Sequence, residues 1–353
     1  MKSDKKFFGK HNFLPVDEFF LKVLYDKKIG YYSTKKPFGA KGDYITAPRI
    51  SKLFCEAIAI WMISTWENFG KPKCFNIVEL GPGDGELTKS LLETFKKFPK
   101  FNNSKNIYLY EISEFLKKRQ RQNIKSSDVE WIKNFNYLKK GPVIFFGNEF
   151  FDAIPIKQFK RNGNLIYEKY FEISKNKIYE KFKKASKKDV KEIKSFRSFH
   201  KLKFIEYPKL GLKELRKIIK KILQLKGCLL LIDYGYMGSS NQDTLQSVFK
   251  HKKNEILKNL GKADITSQVN FELLSEFFLK NNLKIKKIIT QKEFLEKLGI
   301  VERANILAKK MKFRDQSDLY SRLRRLLSPG LMGNLFKVIL AYNHRTKNYF
   351  GFK

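Results

Sequence analysis

Residues 77–87 have the sequence IVELGPGDGEL, in which a short apolar run ends in a carboxylate and is followed by alternating glycines. Because glycine has no Cβ, the main chain at Gly81, Gly83 and Gly85 can come close to a ligand. A helix that begins at about Glu86 would present its first N–H groups on the same side. The stretch therefore predicts a strand, a ligand-binding turn and a helix, in that order.

The glycine spacing restricts the kind of ligand. A dinucleotide fingerprint GxGxxG that began at Gly81 would need its third glycine at position 86, which is occupied by Glu86. Glutamate is too bulky for the close packing of helix on strand that this glycine permits. The remaining pattern is E-x-G-x-G-x-G, with Glu79 at the end of the strand and Pro82 inside the turn.

Short apolar runs alternate with helical patterns on both sides of this stretch. The first runs are FNIVEL, IYLYE, VEWI and VIFF, and the pattern resumes with CLLLIDYG, LKIKKIIT and LFKVILAY. Helices are predicted from about Glu86 to Phe98, from about Ser113, and over roughly residues 267–280. This alternation predicts an α/β protein with a doubly wound, mostly parallel sheet, in which ligands bind at the carboxyl ends of the strands.

The chain divides by pattern into four segments. Residues 1–74 form a mainly helical region, with a helix over 50–65 that has Pro48 in its first turn, and with a Gly- and Pro-rich loop that covers a site. Residues 75–155 form the first half of the ligand-binding domain. Residues 156–226 read as hairpin strands and a Lys-rich helix, so they are predicted to be an inserted substrate lobe, and residues 227–353 complete the domain.

Composition limits location and partners. The chain of 353 residues has no apolar run long enough to span a membrane, and its first residues lack a signal-peptide pattern, so we expect a soluble protein of the bacterial cytoplasm. Three widely spaced cysteines and four scattered histidines predict no metal site. The net charge of +38 allows nucleic acid as a partner, but the lysines are spread over every segment, which favours solvated faces.

The pattern E-x-G-x-G-x-G resembles motif I of class I S-adenosylmethionine-dependent methyltransferases. This resemblance implies that S-adenosyl-L-methionine is the cofactor and that a second acidic residue ends the second strand, where it accepts from both ribose hydroxyls. Glu111, in IYLYEIS, occupies that place. The alternative interpretations are an ordinary strand-to-helix turn for the glycines and a helix-capping carboxylate for Glu111.

Further segments resemble the MidA-type family of methyltransferases, which includes the mitochondrial assembly factor of respiratory complex I. They are GYYSTKKPFGAKGDYITAPRISKLF, NEFFDAIPIKQF, LIDYGY, LQSVFKHK, GKADITSQVNF, QKEFLEKLGIVERA and MGNLFKVI, and the resemblance extends over residues 14–342. It implies a Rossmann-like class I fold and methyl transfer to a protein arginine. The implied substrate is a core subunit of the bacterial NADH dehydrogenase complex, methylated during assembly.

The run VIFFGNEFFDAIP supplies the candidate acceptor side of the site. In this fold class the fourth strand abuts the methyl group, so Glu149 and Asp152 are candidates to hold a guanidinium group and accept its proton, with Asn148 beside them. Phe150 and Phe151 could line a slot for the aliphatic stem. In the alternative interpretation, Asn148 and Asp152 cap a turn and the two phenylalanines belong to the core.

Four more residues are assigned to the site by position. Gly42 and Asp43 lie in the predicted covering loop and are expected to contact the cofactor. Asp233 and Tyr234 end a later strand and are expected to contact a peptide substrate, although Tyr234 could instead form a wall of the site.

Two other functions compete with protein arginine methylation. A nucleic-acid methyltransferase is favoured by the charge, and Asn148 followed by aromatic residues distantly resembles the Asn-Pro-Pro-aromatic motif, but Glu149 and Phe150 replace its prolines. A non-catalytic assembly factor that keeps only the cofactor fold is the other alternative. A homodimer is compatible with the sequence.

Overall fold

A computed structural model describes residues 4–35, 46–175, 177–238, 240–346 and 348–352. The chain forms two compact units, and each unit is assembled from three separated segments. The first unit comprises Met1–Tyr44, Phe151–Arg216 and Tyr236–Lys280. The second unit comprises Ile45–Phe150, Lys217–Gly235 and Asn281–Lys353.

The strands are short, and their bounds in chain order are as follows. They are β1 Phe13–Pro15, β2 Phe75–Leu80, β3 Lys105–Tyr110, β4 Val129–Ile132, β5 Val143–Asn148, β6 Lys157–Asn162, β7 Leu165–Ser174, β8 Lys177–Lys184, β9 Phe204–Tyr207, β10 Cys228–Tyr236, β11 Gln246–Phe249, β12 Lys252–Asn254, β13 Asp264–Thr266, β14 Val269–Asn270, β15 Lys284–Ile285, β16 Ile289–Thr290 and β17 Phe336–Tyr342.

The helices range from single turns to about five turns. They are α1 Val16–Tyr25, α2 Tyr31–Thr34, α3 Ala47–Ile50, α4 Lys52–Asn68, α5 Glu86–Phe95, α6 Pro99–Asn102, α7 Glu114–Ile124, α8 Lys187–Lys194, α9 Lys209–Leu225, α10 Phe271–Lys280, α11 Gln291–Lys297, α12 Ile300–Ala308, α13 Phe313–Leu327 and α14 Met332–Leu335.

The second unit is built on a mostly parallel sheet. Its strand order is β15-β17-β10-β5-β2-β3-β4, and β10, β5, β2, β3 and β4 pair in parallel. Strand β17 returns antiparallel to β10 and carries β15 and β16 on its other side. The predicted doubly wound, mostly parallel α/β sheet is therefore confirmed.

The central strands are buried along most of their length because both faces of a parallel sheet are covered. Every residue of β2 is buried, and so are the first five residues of β5 and the first six of β10. Helix α4 joins the same core through Phe54, Ile58, Trp61 and Met62. Because these strands are buried, the residues at their ends are held in fixed places in the structure.

Three predicted element boundaries differ in the structure. Pro48 lies in the separate short helix α3, because Ser51 is extended and caps α4 by accepting from the N–H of Leu53 at 3.2 Å. Helix α5 ends at Phe95, ahead of a new turn that contains Pro99. The single strand predicted over residues 283–290 is two short edge strands, separated by residues 286–288, of which Lys287 is exposed.

The first unit is built on an antiparallel sheet of order β1-β7-β6-β9, with β8 paired along the other side of β7. The predicted hairpin is present, because Asn162 pairs with Leu165 across a turn in which Gly163 has φ +56°. A smaller antiparallel sheet has the order β12-β11-β13.

Candidate functional site

Four neighbouring parallel strands of the second unit have acidic residues at or near their carboxyl ends. In sheet order these residues are Asp233 in β10, Glu149 after β5, Glu79 in β2 and Glu111 after β3. The carboxyl ends of parallel strands meet at one edge of a sheet, which is where α/β proteins bind ligands. This acidic edge, defined by those four carboxylates, is the candidate site.

The glycine turn after β2 adopts a backbone that side chains disfavour. Gly81, Gly83 and Gly85 have φ values of +60°, +58° and +84°, which lie in the left-handed region. The N–H of Gly85 donates to the carbonyl of Pro82 at 2.8 Å, and the N–H of Gly81 donates to the carbonyl of Tyr110 at 3.0 Å. The second bond ties the turn to the end of β3.

The space around the turn is also limited. A Cβ added to Gly81 would lie 3.0 Å from Cδ2 of Phe150, and one added to Gly85 would lie 2.9 Å from Cδ1 of Ile124. Phe150 is half-buried, so its ring packs over the first glycine of the turn. Phe150 therefore connects the end of β5 with the glycine turn.

Glu79 is buried directly beneath the turn. It is 5% exposed, and its carboxylate accepts a short hydrogen bond from the hydroxyl of Thr88 in α5. Burial raises the pKa of Glu79 from 4.5 to about 7, because the charged form loses its hydration. The folded chain consequently binds this proton more tightly than the unfolded chain does.

The Glu79→Gln variant is expected to be more stable than the native chain at pH 8 but not at pH 5. Since the folded-state pKa is raised, the stability associated with this group is present below pH 4.5 and lost as the pH rises through about 7. A glutamine does not titrate, so it should gain about 2 kcal/mol of unfolding free energy at pH 8. Urea denaturation at both pH values measures the difference, with Glu130→Gln, at an exposed strand position, as the control. An equal difference at pH 5 and pH 8 would contradict the assignment.

Glu111 is held by donors on both carboxylate oxygens. The N–H of Ser113 donates to Oε1 at 2.7 Å, and Nε2 of Gln120 donates to Oε2 at 3.3 Å. Burial raises the pKa of Glu111 to about 7. These contacts fix the side chain at the end of β3.

Gln120 joins three parts of the site. Its fully buried side chain donates to the carbonyl of Gly83 at 2.8 Å and accepts from Nε1 of Trp131 at 2.8 Å, in addition to its bond to Glu111. A buried amide with all these partners is costly to remove, because each partner would be left unsatisfied. Gln120 thus sets the distance between the glycine turn and Glu111.

Replacing Gln120 by alanine is expected to weaken cofactor binding about 10-fold and to lower the unfolding free energy by about 2 kcal/mol. The exposed Gln122 lies on the same helix, so Gln122→Ala is the matched control. Calorimetric titration with S-adenosyl-L-methionine, at a temperature where circular dichroism shows each variant folded, checks the affinity. If folded Gln120→Ala binds as tightly as the control, Gln120 has only a structural role.

Asp84 anchors the outer side of the turn. Nε of Arg49 donates to its Oδ2 at 2.8 Å, and the second guanidinium nitrogen makes a shorter contact with the same oxygen. Nδ2 of Asn123 donates to the carbonyl of Asp84 at 3.1 Å. The turn is therefore held by the short helix α3 and by α7.

Glu149 has an unusual backbone for its residue type. Its φ is +51°, a conformation that a non-glycine residue adopts at an energetic cost of about 1 kcal/mol. The N–H of Glu149 donates to the carbonyl of Ile232 at 2.9 Å, and its Oε1 accepts from Nδ2 of Asn148 at 3.0 Å and from the N–H of Ala47 at 3.4 Å. The conformation turns Glu149 out of the strand and fixes its carboxylate.

Asp233 and Tyr234 follow Ile232 in the neighbouring strand. Asp233 is 1% exposed, and its Oδ1 accepts from the N–H of Tyr234 at 2.9 Å. The ring of Tyr234 lies 5.7 Å from that of Phe336. Since Ile232 pairs with Asn148, the last residue of β5, Asp233 and Glu149 occupy corresponding positions in adjacent strands.

The remaining predicted site residues belong to the first unit or lie outside the described residues. Phe151 is buried in the first unit, where a Cβ added to Gly211 would lie 2.7 Å from its ring. Asp152 belongs to the same unit, and its carbonyl accepts from the N–H of Ser267 at 3.0 Å. Gly42 and Asp43 lie outside the described residues.

Sequence reasoning missed three residues that shape the site: Thr88, Gln120 and Arg49. Each acts through a contact with a residue at least nine positions away, so no local pattern marks it. The available signals were weak. Thr88 and Gln120 are polar residues on the buried faces of the helices that follow β2 and β3.

Two further findings for the described ranges concern membrane-spanning helices and metal-binding groups. Their helices include none with the length and apolar content needed to cross a membrane. The same ranges hold no group of three or more His, Cys, Asp or Glu side chains arranged to bind a metal ion.

Sequence comparison shows which known proteins this chain resembles. Residues 57–289 match the family model "Putative S-adenosyl-L-methionine-dependent methyltransferase". The mitochondrial protein arginine methyltransferase NDUFAF7 of Xenopus tropicalis is 30% identical over 92% of this chain and 81% of its own length. The homologous protein of Caenorhabditis elegans is 30% identical over 88% and 78%, and the human protein is 26% identical over 94% and 80%.

The fold has a counterpart among solved structures. A methyl transferase candidate from Burkholderia thailandensis, crystallised with S-adenosyl-homocysteine, superposes with a TM-score of 0.82. The alignment covers 97% of this chain and 90% of that one, at 21% sequence identity. The likeness extends to both compact units, since it covers nearly the whole chain.

Proposed function

This chain belongs to the family of S-adenosyl-L-methionine-dependent methyltransferases, and from that premise we propose that it methylates arginine in a protein substrate. The predicted class I fold, cofactor and methyltransferase function are confirmed by the family match. The arginine acceptor is our proposal, and its main structural support is the fixed carboxylate of Glu149 at the end of β5. The names of the curated relatives support the same acceptor.

The residues at the acidic edge fit the cofactor. S-adenosyl-L-methionine offers an ammonium group and two ribose hydroxyls, all of which are donors for carboxylates. We propose that Glu111 accepts from the two ribose hydroxyls. The main chain of the turn approaches the cofactor closely at Gly81, Pro82, Gly83 and Gly85. Glu79 supports this turn from beneath. When bound, the cofactor supplies an electrophilic methyl group on a positively charged sulfur.

Glu149 has the properties that an arginine acceptor requires. A guanidinium group stays protonated in water, so its nitrogen becomes nucleophilic only if a base removes a proton. We propose that the carboxylate of Glu149 binds the guanidinium and accepts that proton at a carboxylate oxygen. Asn148 keeps the carboxylate oriented through its 3.0 Å hydrogen bond.

The neighbouring residues complete this proposal. Asp233, in the adjacent strand β10, is assigned to hold the positive charge on the far side of the guanidinium, where a second carboxylate favours a bound cation. We assign Phe150 and Tyr234 to the walls around the aliphatic stem, where their rings exclude water. The predicted role of Asp152 stays a hypothesis, which its variant tests below.

The family resemblance also motivates a partner. We propose that the substrate is a subunit of the NADH dehydrogenase complex and that methylation takes place in the cytoplasm during assembly. The curated relatives are mitochondrial proteins, so location and partner are both proposals for this chain.

This partner is tested by deleting the gene, recovering the NADH dehydrogenase complex and measuring its arginine-containing peptides by mass spectrometry. We expect a methylated arginine in a core subunit of the native strain, its loss in the deletion strain, and its return with the native gene but not with a Glu149→Gln gene. Unchanged arginine masses in the deletion strain would remove the NADH dehydrogenase complex as the substrate.

A further inference from the structure

A cavity of about 600 Å³ opens on the first unit, between the start of β7 and helix α8. Its apolar lining is formed by Leu165, Ile166, Ala185 and Val190. Leu165 lines this cavity and is 47% exposed. The cavity therefore presents apolar surface to an outside molecule.

Four lysines surround this apolar lining. Lys184 ends β8, and Lys187, Lys191 and Lys194 belong to α8. The last three are spaced by four and three residues, so they share one face of the helix. In the described ranges, none of the four ammonium groups lies within ion-pair distance of a carboxylate. The lining and these four lysines together are called the lysine groove.

The acidic residues of the same segment contact other cations. Asp189 pairs with Lys209 at 2.6 Å and with Lys157 at 3.5 Å, and it is buried. Glu192 also pairs with Lys209, at 3.5 Å. Helix α8 thus places its carboxylates on internal partners and leaves its lysines around the cavity.

This segment is more basic than the chain as a whole, which has 73 Lys and Arg residues and 35 acidic residues. Residues 175–194 contain nine lysines and three acidic residues. Lysines four residues apart on one helix face repel each other and destabilise the helix. Within the described ranges, none of the four groove lysines forms an ion pair that would offset this repulsion, whereas a bound anionic partner would offset it.

We propose that the lysine groove binds an acidic segment of a partner protein, with a large apolar side chain of that segment inserted against Leu165. The four lysines complement carboxylates, and the apolar lining complements a leucine or phenylalanine side chain. Nucleic acid fits less well, because the lining contains neither an aromatic ring for base stacking nor an arginine. Binding of this kind requires neither the cofactor nor methyl transfer.

Fluorescence anisotropy with the full chain, without cofactor, tests the proposal. The probe is a labelled peptide of about 14 residues that alternates pairs of glutamate with single leucines. The groove variant carries Lys184→Glu, Lys187→Glu, Lys191→Glu and Lys194→Glu. The control variant carries the same charge change at four exposed lysines of the second unit, as Lys287→Glu, Lys297→Glu, Lys309→Glu and Lys310→Glu.

The native chain should bind the peptide, the groove variant should bind it at least about 20-fold more weakly, and the control should change by less than about 3-fold. Leu165→Ser should weaken the leucine-containing peptide but not a peptide in which serine replaces leucine. Failure of the native chain to bind, or equal weakening in both variants, would overturn the proposal. Tighter binding of a single-stranded oligonucleotide through the same four lysines would assign the groove to nucleic acid instead.

Discussion

Replacing Glu149 by glutamine is expected to lower the rate of methyl transfer by about 10²- to 10⁴-fold and to leave cofactor affinity unchanged. Glutamine can still accept from Asn148 and from the N–H of Ala47, so the turn after β5 should keep its shape. An amide is neutral and cannot accept a proton at neutral pH, so it lacks both functions proposed for the carboxylate. The variant therefore isolates chemistry from folding.

Turnover of a protein substrate with isotopically labelled S-adenosyl-L-methionine measures the first effect, and calorimetry measures the second. Asp152→Asn is the matched comparison, because it makes the same change three residues later in the chain. A Glu149→Gln enzyme with turnover within about 3-fold of native would remove Glu149 as the base. Loss of turnover in Asp152→Asn alone would transfer that role to Asp152.

Replacing Gly83 by valine is expected to weaken binding of S-adenosyl-L-methionine by more than about 100-fold. The φ of Gly83 is +58°, and a β-branched residue is a pronounced outlier in that conformation. Valine would also displace the carbonyl that accepts from Gln120, and so disturb the link to Glu111. Backbone strain and loss of close approach act in the same direction.

Gly163→Val provides a control for backbone strain alone. Gly163 has φ +56°, and a Cβ there would meet no atom within 4 Å. It lies in the hairpin of the first unit, away in sequence from the glycine turn. Equal loss of cofactor binding in both variants would show that the effect of Gly83→Val is general destabilisation. Native affinity in Gly83→Val would contradict the assigned cofactor site.

The parts of the site that could be predicted from sequence lie at the ends of apolar runs. Glu79 lies at the end of β2, and Glu111 and Glu149 directly follow β3 and β5, and a strand end is visible in the local order of apolar and polar residues. The glycines are similarly visible, because positive φ is a local property. The parallel order of the strands followed from the alternation with helices.

The parts that could not be predicted depend on contacts between distant residues. Arg49 meets Asp84 across 35 positions, and Gln120 meets Gly83 across 37. The left-handed backbone of Glu149 could not be predicted either, because glutamate has no preference for this conformation. Its hydrogen bond to Ile232 joins residues that are far apart in the sequence. Such features require the fold itself.

Glu79 and Glu111 illustrate a conflict between stability and function. Burial raises the pKa of each carboxyl group to about 7, so at neutral pH each holds a charge that the folded state disfavours. Two such buried carboxyl groups at the ends of adjacent strands reduce the stability of the unliganded chain at neutral pH. In the proposed complex the ribose hydroxyls of the cofactor donate to Glu111 and stabilise its charge, which would offset part of this loss.

Transfer of labelled methyl groups into an extract of the deletion strain distinguishes protein arginine methylation from the alternative activities. The native chain, labelled S-adenosyl-L-methionine and the extract are incubated together, and the label is then traced in protein hydrolysates and in nucleic acid. We expect label in methylated arginine, with none above background for Gly83→Val or Glu149→Gln. Label in nucleic acid, in another amino acid, or in no acceptor at all would contradict it.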